Sequence, residues 1–135
     1  FYRLPCSRPV KVQVLTDFQA AGYERTHQWN EKLFQNARPV LEATLIDLSG
    51  GGIRMHSGIH YEKESLVRVF LDIICNDEPK QLELLGEVVM SYSLENDRSI
   101  YETRVQFKAV PNEITEMIVK YIFMEQRITQ QKLRR

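Results

Sequence analysis

The 135-residue chain is poor in cysteine, with only Cys6 and Cys75. So few thiols exclude a disulfide framework or a cysteine-rich metal site, and a reducing, cytoplasmic compartment is expected. Net charge is missing too, because eighteen Lys plus Arg balance eighteen Asp plus Glu. A domain that gripped a nucleic-acid polymer would carry a basic excess, so long phosphate chains are poor partners. A compact anion held by a few local arginines fits the balance. Apolar runs stop far short of the ~18 residues a spanning helix needs, and no signal-peptide pattern opens the chain. The length suits one domain with one core. Residue 1 is Phe, so an upstream N-terminal domain is expected before it.

What is present is a series of short strands. Residues 9–15 alternate, with Val10, Val12 and Val14 on one face and Lys11 and Gln13 on the other. Residues 16–38 lose that pattern and read as an insertion, in which residues 30–37 can form a short helix with Leu33 and Phe34 turned inward. Strand character returns at 40–48, 53–55, 66–74, 82–92 and 101–110. Such spacing predicts a barrel or sandwich over about 8–110, with Tyr61, Phe70 and Phe107 as core aromatics. After Pro111 the period becomes helical. Ile114, Met117, Ile118, Tyr121, Ile122 and Ile128 form an apolar stripe over about 112–134, with Asn112 as N-cap. Arg127, Lys132, Arg134 and Arg135 complement the dipole at its C-terminus.

The stretch that carries chemistry is Ile46-Asp47-Leu48-Ser49-Gly50-Gly51-Gly52-Ile53, where one strand ends and the next begins. On an extended backbone Asp47 and Ser49 share a face and can touch one ligand. Gly50, Gly51 and Gly52 offer flexible backbone whose N–H groups suit anionic oxygen. An ordinary glycine-rich hairpin is the competing reading. Leu48-Ser49-Gly50-Gly51 also looks like part of the ABC ATPase signature loop, but no phosphate-binding Gly-x-x-x-x-Gly-Lys-Ser/Thr segment accompanies it. A hydrolase elbow needs Gly where Asp47 stands, so Ser49 is not a nucleophile and no enzyme is expected. His56 and His60 are four apart in a strand-like, glycine-containing stretch and read as surface residues, not as a metal pair.

Asp47, Ser49 and Gly52 match the Asp/Asn-x-Ser-x-x-Gly signature of PilZ domains, and Phe1-Tyr2-Arg3 resembles the end of the Arg-x-x-x-Arg motif ahead of the first barrel strand. With the Val105-Gln106-Phe107 strand and the final helix through Tyr121-Ile122-Phe123 to Arg127, the chain most resembles the PilZ half of flagellar brake proteins. The resemblance implies an all-β fold, a six-stranded antiparallel β-barrel with a C-terminal helix. It also implies binding of the second messenger cyclic dimeric GMP (cyclic di-GMP), with no further cofactor. The implied ligand contacts are Arg3, Asp47, Ser49, Gly50, Gly51 and Gly52, with Arg104, where the family often has Gly, as an additional one. A guanidinium can engage guanine O6 and N7, and a carboxylate suits guanine N1–H and N2–H. The upstream arginine of the pair would fall before Phe1, and Arg8, five residues on from Arg3, does not make the motif. The expected output is relay to a protein partner such as a flagellar motor or synthase component. The alternative is a PilZ-like domain that docks proteins without the nucleotide.

Overall fold

The computed structural model describes residues 3–133; Phe1, Tyr2, Arg134 and Arg135, which figure in the sequence reading, lie outside the described residues. In chain order the elements are β1 (Arg3–Val14), α1 (Asp17–Thr26), a short 3-10 helix (Glu31–Phe34), β2 (Val40–Ser49), β3 (Gly52–Ser57), β4 (Leu66–Cys75), β5 (Glu78–Ser93), β6 (Tyr101–Phe107) and α2 (Asn112–Leu133). The six strands close into a barrel in the order β1-β2-β3-β6-β5-β4, and every neighbouring pair is antiparallel.

Period-2 alternation fills the barrel. Val67, Val69, Leu71 and Ile73 of β4 all point inward, each no more than 2% exposed. Leu4, Leu48, Ile53, Val105 and Val88 pair in register across β1, β2, β3, β6 and β5, so one buried row crosses five strands. Helix α2 adds Ile118, Tyr121 and Ile122 to the same core. The tight β4–β5 connection uses Asn76 and Asp77, at φ 52° and 64°. Two consecutive left-handed residues make a turn whose twist matches that of the strands it joins, and Asn and Asp tolerate it.

Several predicted boundaries shift. β1 begins at Arg3, paired with Ser49, so Arg3 belongs to the barrel ladder instead of a segment ahead of it, and the barrel starts before residue 8. β6 stops at Phe107 because Ala109 takes a positive φ of 54°, which breaks an extended chain. Asn112 lies inside α2, and the Pro111 carbonyl accepts the N–H of Thr115 at 3.2 Å, so Pro111 stands at the cap.

The insertion contains a helix that the lost alternation concealed. Thr16 and Gln19 form a reciprocal capping box: Thr16 Oγ1 accepts from the Gln19 N–H at 3.1 Å, and Gln19 Oε1 accepts from the Thr16 N–H at 2.9 Å. The 3-10 helix falls within the predicted 30–37, but Leu33 and Phe34 are only partly buried. The insertion covers the outward face of β4 and β5. There Leu15, Ala20, Tyr23 and Leu85 form a second buried cluster, flanked by Trp29, Phe34 and Leu66. Among the described residues no helix is long and apolar enough to cross a membrane.

Candidate functional site

The register puts the sequence-predicted residues on adjacent rows of the barrel's outward face. Arg3, Ser49, Gly52 and Gln106 are aligned across β1, β2, β3 and β6. Two residues along, Pro5, Asp47, Arg54 and Arg104 are aligned across the same strands. A third row pairs Thr44, His56, Glu102 and Tyr92 across β2, β3, β6 and β5. Between the first two rows run the inward Leu48 and Ile53, which anchor the surface to the core.

The first two rows line a cleft of about 470 Å³ that includes Arg3, Asp47, Ser49, Gly51, Gly52, Arg54 and Arg104, with Val89 as an exposed apolar wall. Gly50 turns away: a Cβ there would lie 3.1 Å from Val119 Cγ2 of α2. None of the glycines has a positive φ, so the turn does not depend on left-handed backbone. Gly52 is required by proximity instead, since a Cβ would lie 2.1 Å from the Val105 carbonyl oxygen.

Asp47 is the electrostatic centre. It is 5% exposed although it faces outward, because basic side chains cover it. Its Oδ2 accepts a hydrogen bond from Arg3 and lies 3.8 Å from Arg54, whereas its Oδ1 is buried with no hydrogen-bond partner. An unsatisfied buried carboxylate oxygen is costly and calls for a donor. Ser49 caps its own turn: Oγ accepts from the Gly51 N–H and donates to the Gly52 carbonyl, both at 3.3 Å. Each of these bonds is long and so readily exchanged for a ligand oxygen.

Behind Arg104 stands Glu102, 8% exposed. Its Oε1 pairs with His56 Nε2 at 3.1 Å, its Oε2 accepts from the Tyr92 hydroxyl, and Arg104 lies 3.7 Å away. Burial alone would raise the Glu102 pKa, but the hydrogen bonds from Tyr92 and His56, with Arg54 near, hold it below the ordinary carboxylate value. The same bond to Glu102 raises the Tyr92 pKa. His60 stands apart, 4.0 Å from Glu62, and among the described residues no three metal-ligating side chains gather. Arg8 turns to α2, donating to the Tyr121 hydroxyl and, at 3.0 Å, to the Asp72 carbonyl.

The sequence reading does not single out Arg54. Its signal was there, because alternation puts Arg54 on the face of Gly52, but only the pairing with β2 sets it beside Asp47.

A closed six-stranded barrel, with an arginine-rich outward cleft beside the β2–β3 turn and a helix completing its core, defines a small barrel domain. The family model for the PilZ domain matches residues 23–124, and the chain belongs to that family. None of the curated proteins matches it. Among solved structures it is similar to the Bacillus subtilis inhibitor of motility MotI/DgrA, with 11% identity over 93% of this chain and 49% of that one, at a TM-score of 0.67. It is also similar to Escherichia coli YcgR in complex with c-di-GMP, with 13% identity over 98% of this chain and 47% of that one, at 0.58. The PilZ domain of CeSA from a cellulose-synthesizing bacterium aligns with 12% identity over 93% of this chain and 99% of that one, at 0.53. The chain thus spans about half the length of the first two.

Proposed function

We propose that this domain is a cyclic di-GMP sensor, without catalytic residues, that binds the dinucleotide in the cleft formed by Arg3, Asp47, Ser49, Gly51 and Gly52. The observation that carries this reading is the convergence of Arg3, Ser49 and Gly52 on one row and Asp47 on the next, around an Asp47 whose Oδ1 has no partner. Guanine N1–H and N2–H are donors of the kind that oxygen lacks, and a guanidinium can meet guanine O6 and N7 or stack on the base. Ser49 and the turn backbone then face phosphate oxygen. YcgR, solved with c-di-GMP, supports the ligand. The inhibitor of motility and the cellulose-synthesizing bacterium's domain support motility or exopolysaccharide control, through a partner protein or an adjoining domain, as the output.

Titration calorimetry with cyclic di-GMP tests it. Asp47→Ala and Arg3→Ala should each weaken binding by about 5- to 150-fold, the equivalent of ~1–3 kcal/mol for a base-reading contact. Thermal melting checks that both variants still fold. Unchanged affinity in both would remove the site assignment. No binding by the unaltered chain would leave a barrel that docks proteins without the nucleotide.

A further inference from the structure

Arg54 of β3 and Arg104 of β6 stand directly opposite each other in the ladder, and both line the cleft. Like charges at directly opposed positions destabilise a sheet, so the pair needs compensation. Two carboxylates approach without supplying it in full. Asp47 lies 3.8 Å from Arg54 and Glu102 lies 3.7 Å from Arg104, both beyond hydrogen-bond length. Neither carboxylate closes the gap, and the unpartnered Asp47 Oδ1 is the oxygen that the base reading leaves to guanine. Asp47 Oδ2 is engaged by Arg3, and both Glu102 oxygens are engaged, one by His56 and one by Tyr92. Arg54 Nε is buried with no hydrogen-bond partner at all. At the Arg54–Arg104 row the two guanidiniums are thus held by no carboxylate at hydrogen-bond length.

A planar guanidinium pair with spare N–H groups matches the oxygens of a phosphate. We infer that Arg54 and Arg104 form a phosphate subsite that seats one phosphodiester group of the dinucleotide. This inference rests on the cyclic di-GMP reading of the cleft and adds a division of labour to it. Asp47 and Arg3 read a base, while the opposed arginines hold the backbone. The subsite does not require a guanine, so a simple phosphate anion probes it separately.

The experiment uses Arg54→Gln, Arg104→Gln and the double variant, with cyclic di-GMP and inorganic pyrophosphate as probes. Each single variant should bind cyclic di-GMP about tenfold more weakly, as expected for a charge-assisted hydrogen bond. The double variant should lose affinity less steeply as KCl rises, because fewer charge pairs remain to be screened. Without ligand the double variant should still unfold in one cooperative melt, because the repulsion it relieves offsets part of the attraction lost from Asp47 and Glu102. At matched ionic strength pyrophosphate should raise the melting temperature of the unaltered chain and not that of the double variant. If the double variant keeps full cyclic di-GMP affinity while Asp47→Ala loses it, the subsite is overturned and the base-reading site stands. If the chain binds no cyclic di-GMP but the pyrophosphate effect vanishes in the double variant, the subsite stands and the ligand assignment falls. A pyrophosphate effect that persists in the double variant also overturns the subsite.

Discussion

Gly52 and Gly51 are neighbours with opposite tolerances. A Cβ on Gly52 would meet the Val105 carbonyl oxygen at 2.1 Å and Gln106 Cα at 3.2 Å, so β3 and β6 would have to part. A Cβ on Gly51 would meet nothing within 4 Å. Gly52→Ala should cost about 1–3 kcal/mol, as overpacking does, whereas Gly51→Ala should lie within about 0.5 kcal/mol of the parent. Urea unfolding of the two variants separates them, and equal stabilities would refute the steric account. The sequence marked these glycines as a break between strands, and the break is there. It did not distinguish their roles, because the atom that requires Gly52 belongs to Val105, on a strand whose register local pattern does not encode. The same applies to Arg54: its face was legible and its partner was not. Asp47 and Ser49 were legible as a pair because their common face follows from a local period of two.

At the scale of elements, the strands were readable because most of their length is apolar at every second position or rich in β-branched and aromatic residues, whereas α1 was not. Its buried residues, Gln19, Ala20, Gly22 and Tyr23, include too few large apolar side chains to mark a helical stripe. Its one local sign was Thr16 followed three residues later by Gln19. What holds the insertion down is Arg68 of β4, 5% exposed. Its guanidinium lies 4.5 Å from the Trp29 ring, 4.7 Å from Phe34 and 5.0 Å from Phe70, and it pairs with Glu83 at 2.5 Å and Glu31 at 3.4 Å. Trp29 also stacks on Tyr23, with ring centroids 4.2 Å apart, and donates to the Glu83 carbonyl at 3.0 Å. Arg68→Ala removes the cation from this cage and leaves Glu83 without its partner. The loss should be about 2 kcal/mol, below the full cost of breaking a buried pair because Glu83 is partly exposed. Trp29 is the sole tryptophan, so its emission should shift to longer wavelength as the insertion loosens. An unshifted spectrum with unchanged stability would mean that the aromatic stack alone fixes the insertion.

For the molecule as a whole, α2 is the element that connects the barrel core to the cleft. Its inner face, Ile118, Tyr121 and Ile122, is buried in the core, so the helix cannot leave without exposing apolar surface. Two further contacts reach the elements that carry the cleft. Thr115 and Val119 lie against Gly50 in the β2–β3 turn, and Gln126 Nε2 donates to the Arg3 carbonyl at 2.9 Å. A ligand that ordered the turn and drew on Arg3 would thus load both contacts at once, and the exposed C-terminal part of α2, which carries Ile128 and Leu133, would feel it first. Gln126→Ala tests that coupling. The bond is exposed, so its loss should weaken cyclic di-GMP binding by only about 2- to 3-fold, the low end for a hydrogen bond made in water. The larger effect should be on transmission. Amide hydrogen exchange over residues 119–130 should slow when the dinucleotide binds the unaltered chain, and slow much less in Gln126→Ala, while protection of β2 and β3 is the same in both. Equal slowing of α2 in the two proteins would show that the Arg3 contact is not the route, and would leave the packing of Gly50 under Val119 as the link between site and helix.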